Sequence, residues 1–340
     1  ANAARRGGGV LLEGAALTAD GEVRFEDNEA WPDSGGGLFA TRSAEVSLAN
    51  GVSFRANSAA YDGGGVFMED FASLLAAHDV EFVENWATQG GAIAVNRGEV
   101  TLHTGVRLLS NSATENRGGG MAVGRQSVVR MFDGVDVSFN YAVQVGGGVY
   151  CAFSTLELAD GVEFRNNTSL TYGGAIRLQG VRGSAALTAR GDVGFIGNMA
   201  GVSGGGLHVF EHAQLLLEQG VVVAGNSARE AGGGLCAESA FDITVGNVSI
   251  HGNEARVGGG MALLQSVFQL SHTRVQANVA RFQGGGLYVE GASDASEGGH
   301  VRNASVEQNT AEEDGGGIYL LSARLAVTGA VVRGNVAGNV

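Results

Sequence analysis

Few residues in this chain have the types and spacing that chemistry requires. Arg177, His208 and Glu238 fall on three successive repeats, at positions that strand alternation turns outward, and they offer a cation, a base and a carboxylate. A lyase needs the first two, whereas hydrolysis of a glycosidic bond needs two carboxylates facing each other. The second carboxylate is missing, as is an acidic cluster suited to calcium. The sequence therefore predicts no catalytic residue, and a polysaccharide-processing lyase or hydrolase, or a polysaccharide-binding β-helix protein, stands as the competing reading.

The histidines are His78, His103, His208, His212, His251, His272 and His300, and only His208 and His212 are close in sequence. A four-residue step along a strand does not bring two rings together as it would on a helix, so no metal and no cofactor is expected. Alternation puts Cys151 inside and Cys236 outside. Three rungs separate them, on the order of 14 Å at a strand spacing of ~4.8 Å, which is too far to bridge. Two free thiols follow. Asn-x-Ser/Thr occurs at Asn166, Asn167, Asn247 and Asn303. Asn167 belongs to a structural column, which leaves Asn166, Asn247 and Asn303 as candidate glycosylation acceptors. Arg190-Gly191-Asp192 spells a receptor-type tripeptide, but it sits where other repeats carry turn pairs such as Asp20-Gly21 and Asp160-Gly161, so turn chemistry accounts for it.

All of these residues hang on one repeat. Its template is residues 52–66: an aromatic or aliphatic residue three before an Asn, Ala two after it, then a glycine triplet and an aliphatic residue. The asparagines are Asn28, Asn57, Asn85, Asn111, Asn140, Asn167, Asn198, Asn226, Asn253, Asn278, Asn309 and Asn335, twelve copies spaced by 25 to 31 residues, with Ser169 the one departure from Ala. A fixed period of this length marks a solenoid. Each repeat holds three strand-like pieces with period-two alternation, exemplified by residues 66–69, 46–48 and 52–54. Asp-Gly and Asn-Gly pairs between the second and third could mark hairpins. Return to the same pattern after about 28 residues favours a right-handed parallel β-helix instead, each strand pairing with its copy one coil on. The fold class expected is all-β, a solenoid of about twelve coils, in one domain over residues 1–340.

Stacking then assigns roles. Phe25, Phe54, Phe82, Phe164 and Phe195, with aliphatic residues in the other copies, form an inward column. The asparagines form a ladder of side-chain amides at a bend whose left-handed backbone angles Asn tolerates. The glycines permit close approaches that a Cβ would block. The residue after the first inward position of the first strand reads Leu11, Phe39, Phe67, Ala94, Ala122, Tyr150, Arg177, His208, Cys236, Ala262, Tyr288, Tyr319. This outward and unusually aromatic column is expected to face solvent, with Phe39, Phe67, Tyr150, Arg177, His208, Tyr288 and Tyr319 as the binding residues for a protein or for sugar rings. Two repeats run long, near residues 181–184 and 291–299, where insertions map to loops on one face.

Composition narrows the function. The net charge of −14 is spread along the chain and argues against nucleic acid, whose phosphates need a basic face. All 21 basic residues are Arg, for which codon bias is sufficient. Apolar residues at 44% can fill a core, and 58 Gly with a single Pro fit neither collagen nor a Pro-rich linker. No apolar run reaches the ~18 residues of a membrane span, so none is expected in this segment. The chain opens inside a repeat at Arg6-Gly7-Gly8-Gly9-Val10 and closes just after Asn335 and Ala337 without a polar or helical cap. It is read as a segment of a longer repeat protein whose open edges dock onto further coils or other chains.

Phe82 to Asn85 followed by Gly90-Gly91-Ala92-Ile93, and Phe164 to Asn167 followed by Gly173-Gly174-Ala175-Ile176, resemble the repeats of chlamydial polymorphic outer membrane proteins. The resemblance covers essentially the whole chain, although most copies carry Gly in place of the motif's Ala. It implies a pectin-lyase-like right-handed β-helix exported to the cell surface, with adhesion as its usual role. The function expected is a non-catalytic extracellular structural or adhesive segment of a cell-surface or filamentous assembly. Its partners would be proteins of that assembly or cell-surface glycans.

Overall fold

A computed structural model describes residues 2–181, 185–240, 242–291 and 298–338. Most of the insertions near residues 181–184 and 291–299, namely 182–184 and 292–297, thus lies outside the described residues. The chain divides into two compact units, residues 1–169 and 170–340, each built from coils of the same design. Among the described residues there is no helix and every strand pairing is parallel, which removes the hairpin alternative. The fold is a parallel right-handed β-solenoid of about twelve coils.

Each coil contributes to four stacks of strands rather than three. In the first unit the coil of residues 66–87 shows them in order: Val66–Glu69 after the glycines, Ser73–Ala77, Glu81–Val83, and the two-residue strand Trp86–Ala87 just after the ladder asparagine. This first unit holds six strands in each of the first three stacks and seven in the fourth; the second unit holds six in all four. The fourth stack escapes a sequence reading because two residues are too short to display alternation.

Register places like on like. Phe54 pairs with Phe82, Val66 with Ile93, and in the second unit Leu207 with Leu235. Inside the first unit the rings of Phe25, Phe54 and Phe82 stack with centroids 4.4 and 5.1 Å apart. Those repeats are the strand spacing itself, so burial and stacking reinforce the same register.

The asparagines close the core at the bend before the fourth stack. Asn140 is typical: its Oδ1 accepts from both the backbone N–H and the Nδ2 of Asn111, at 2.9 and 3.0 Å, and its Nδ2 donates to Asn167 Oδ1 and to the Leu108 carbonyl, at 3.0 and 2.9 Å. The second unit repeats the scheme from Asn198 through Asn226, Asn253, Asn278 and Asn309 to Asn335. Buried amides with their donors and acceptors this fully used incur no desolvation penalty, which is why a polar column can stand inside an apolar core.

The left-handed backbone angle at this bend does not belong to the asparagine, as the sequence had suggested. It belongs to the residue before it: Asp27, Ala56, Glu84, Ser110, Phe139 and Asn166 in the first unit, Gly197, Gly225, Gly252, Ala277, Gln308 and Gly334 in the second, all with φ from +50 to +66°. The preceding residue makes the corner, and that corner turns the next side chain inward to the ladder.

Candidate binding trough on the outer face of the first stack

The outward column of the first stack faces away from the core but not into water. Phe39, Phe67, Tyr150, Arg177, His208 and Tyr288 are all buried, His208 completely; Tyr319 is half-buried and Leu11 is exposed. The expectation of a solvent-facing aromatic stripe is thereby corrected. The cause lies in the glycine triplet. Its first member adopts φ near +65°, as at Gly35, Gly90 and Gly204, and folds the preceding segment back over the strand. A Cβ added at Gly35 would sit 2.8 Å from Phe39 Cβ, and one at Gly204 would sit 2.7 Å from His208 Cβ. The second glycine packs against the next coil: a Cβ on Gly64 would come within 2.4 Å of the Trp86 carbonyl oxygen. The residues just before the triplets pair from coil to coil as isolated bridges, such as Asp62 with Gln89, and so build a wall along the trough. Alternation reports which face a residue is on; it is silent about what folds over that face.

Most of the trough is filled by its own side chains. Phe39 and Phe67 meet edge to face at 5.0 Å. The Arg117 guanidinium lies 4.7 Å over the Tyr150 ring and donates to its hydroxyl at 2.8 Å. In the second unit Tyr288 and Tyr319 stack at 5.5 Å, and the Tyr288 hydroxyl donates to Glu290 at 3.2 Å. Burial, aided by the Glu290 carboxylate, pushes the Tyr288 hydroxyl up to about 12.

The trio that could have done lyase chemistry is brought together, with Arg177 and His208 buried and Glu238 half-buried at the edge. Arg177 lies between the rings of Tyr172 and Phe210, at 5.0 and 4.5 Å, and its guanidinium meets the His208 ring. Burial first, and the Arg177 charge second, hold His208 well below the ordinary imidazole range, so the ring is neutral. Glu238 approaches His208 Nε2 only to 3.8 Å. A buried neutral imidazole packed against an arginine is a cluster that a polymer chain cannot reach.

Cys236 is likewise on the outer face but buried, against Ala231 and Ala262, which corrects its expected exposure; Cys151 is buried on the inner face. Both thiols are free, and burial pushes each up to about 12. Asn166, Asn247 and Asn303 are exposed at left-handed corners, whereas Asn167 is fully buried in the ladder. Arg190 of the Arg-Gly-Asp tripeptide pairs with Glu218 at 3.2 Å, and Gly191 sits in a turn with φ +74°.

Two features of the first unit went unread. One is a gap in the trough where the column shrinks to Ala94 and Ala122, leaving a cavity of about 240 Å³. The step from Phe to Ala in one column was its visible signal. The other is an exposed aromatic cluster beside the fourth stack, where Trp31, Tyr61 and Trp86 surround a cleft of about 240 Å³ with Thr88, Thr114 and Glu115. These are both tryptophans of the chain. Among the described residues no group of three His, Cys, Asp or Glu side chains is arranged to hold a metal, and no helix is long and apolar enough to cross a membrane.

Residues 161–179 match the Chlamydia polymorphic membrane protein repeat. The match falls on the copy that runs from Phe164 through Asn167 to Gly173-Gly174-Ala175-Ile176, the same residues that carry the resemblance in sequence. A curated relative, the probable outer membrane protein pmp20 of Chlamydia pneumoniae, is 30% identical over 182 residues, 46% of this chain. That alignment spans 10% of the relative's own length. Among solved structures, the A-module of the mannuronan C-5 epimerase AlgE6 of Azotobacter vinelandii aligns over 95% of this chain and 90% of its own at 12% identity, with a TM-score of 0.30. A TM-score at that level carries nothing about reaction.

Proposed function

We propose that the chain is a non-catalytic, extracellular structural and adhesive β-solenoid of a cell-surface or filamentous assembly. Support comes from the repeat match and from a relative named as an outer membrane protein. The observation that carries the adhesive part is the aromatic cluster: Trp31 is 66% exposed, Tyr61 58% and Trp86 45%. Large rings held on a rigid strand stack and left in water are the composition of a binding hot spot, since their burial on contact gains much area at little entropic cost.

The test is retention of beads coated with the full chain on cell monolayers, wild type against the double variant Trp31→Ala, Trp86→Ala. Both side chains are exposed, so the variant keeps its fold and is expected to lose most of the retention. Retention equal to wild type would remove the cluster from the reading. Release of unsaturated or reducing sugars from a polyuronate by the purified chain, lost in His208→Ala, would replace the reading by an enzymatic one.

A further inference from the structure

The gap at Ala94 and Ala122 is a built pocket. Its floor is apolar: the two alanines, with the rings of Tyr150 and Phe153 at one end. Its rim is polar on both sides. On the wall before the glycines, Asp62 accepts from the Gln89 amide, and Gln89 in turn accepts from Arg117 Nε at 2.9 Å, so a carboxylate, an amide and a guanidinium are locked in a row. Facing them, the side chains of Asn96 and Arg125 line the pocket and make no hydrogen bond or ion pair among the described residues, although the Arg125 charge acts on Asp62. A Cβ at Gly124 would stand 3.0 Å from Asn96 Oδ1, so glycine there leaves room for the Asn96 amide at the rim. Burial raises the Asp62 carboxyl, while Gln89, Arg125 and Arg117 act in the other direction.

Charge and shape together select the ligand. The lining carries two arginines against one aspartate, a positive local balance in a chain of net charge −14. Donors and acceptors alternate around an apolar floor, which suits a ring with a C–H face and a rim of hydroxyls, each hydroxyl being donor and acceptor at once. A cavity of about 240 Å³ has room for one such ring. We propose that this pocket binds a single carboxylated sugar unit of a cell-surface glycan, its ring over Ala94 and Ala122, its carboxylate on Arg125 and its hydroxyls on Asp62 and Asn96. An acidic peptide side chain fits less well, because it would bring no hydroxyls for Asp62. The proposal deepens the adhesive reading, on which it depends for where the sugar is met but not for the pocket itself.

Saturation-transfer NMR on the full chain with glucuronate, N-acetylneuraminate, glucose and N-acetylglutamate tests it. Transfer to at least one acidic sugar is expected, with a dissociation constant of about 1 mM, the weak range suited to one ring. Ala122→Phe should abolish it and should fold, since Phe39 and Phe67 occupy the same column in earlier coils. Arg125→Ala, at an exposed side chain without a hydrogen bond or ion pair, should weaken the acidic sugar about tenfold and leave glucose unchanged. No transfer to either acidic sugar, transfer that survives Ala122→Phe, or N-acetylglutamate bound as well as the sugars would overturn it. The two readings fail separately: beads that adhere without sugar transfer sink only the pocket, and sugar transfer without adhesion sinks only the adhesive role.

Discussion

Two columns run through the coils at the same spacing and behave in opposite ways. The inner one is Asn in every copy, buried in all but Asn335 and bonded alike from rung to rung. The outer one, over the first stack, runs Leu, Phe, Phe, Ala, Ala, Tyr in the first unit and Arg, His, Cys, Ala, Tyr, Tyr in the second. Apart from Leu11 and Tyr319 the outer column is enclosed as the inner one is, so burial does not separate them. The difference is that an amide ladder admits one shape and one bonding pattern, whereas a trough walled on two sides accepts any side chain that fills it. Uniformity marks what the coil needs in order to stack, and variety marks where one coil differs chemically from the next.

The largest expected effect lies on the uniform column. Asn140→Leu removes the partner of the Asn111 backbone N–H and a bond to the Leu108 carbonyl, and takes one bond each from Asn111 Nδ2 and Asn167 Oδ1, which keep the Phe82 carbonyl and the residue-140 backbone N–H. Unsatisfied buried groups cost about 1–3 kcal/mol each, so a loss of at least about 3 kcal/mol is expected in denaturant titration. A loss under about 1 kcal/mol would show that neighbouring rungs re-pair around the gap and would erase the contrast between the columns.

Within the triplet the contrast sharpens to single atoms. Gly64→Ala drives a methyl against the Trp86 carbonyl and should cost about 2 kcal/mol, in the usual range for overpacking. At the third glycine position a Cβ on Gly120 would lie 2.7 Å from the Gly148 carbonyl oxygen, a looser contact than at Gly64, and Ala92 and Ala175 already stand there in other coils, so Gly120→Ala should cost less, about 1 kcal/mol. Equal losses in the two variants would mean that the distance to the next coil is set elsewhere.

The smallest effect belongs to the variable column and depends on pH. His208 is neutral and buried when folded, with its pKa below the 6.5 of an ordinary imidazole, so the unfolded chain binds the extra proton. Stability from this residue is therefore level above about pH 6.5 and falls as pH drops below it, by up to about 1.4 kcal/mol per unit, until the folded pKa is reached. His208→Phe should flatten that slope between about pH 6.5 and 5 in chemical denaturation, with Arg177 and Glu238 left in place. A slope unchanged by the substitution would assign the acid sensitivity to other groups.

What the sequence discloses follows the same division. The ladder was legible because one residue type recurs at one spacing and its bonding is reciprocal. The corner was assigned to the wrong residue because the position before each Asn varies from Asp27 to Ala56 to Phe139, and that variety hides a shared backbone angle. The covered trough was illegible because its wall is made of Ser34, Asp62, Gln89, Arg117 and Val145, residues with no common type. Arg177, His208 and Glu238 lie on one face as the alternation implies, yet the burial of Arg177 and His208 depends on that wall. The tryptophan cluster joins coils through Trp31, Tyr61 and Trp86, which occupy different positions of the repeat, so no column of the alignment displays it.

The ladder has a consequence for how such a gene can change. Each asparagine bonds only to the copies immediately before and after it, in one geometry, so a coil is bounded by two identical seams. Loss or duplication of a DNA stretch encoding one whole period rejoins seam to seam and leaves every surviving bond intact. Unequal crossing-over between copies therefore yields shorter or longer proteins that still stack, while a niche such as the one at Ala94 and Ala122 is carried, doubled or deleted as a single cassette.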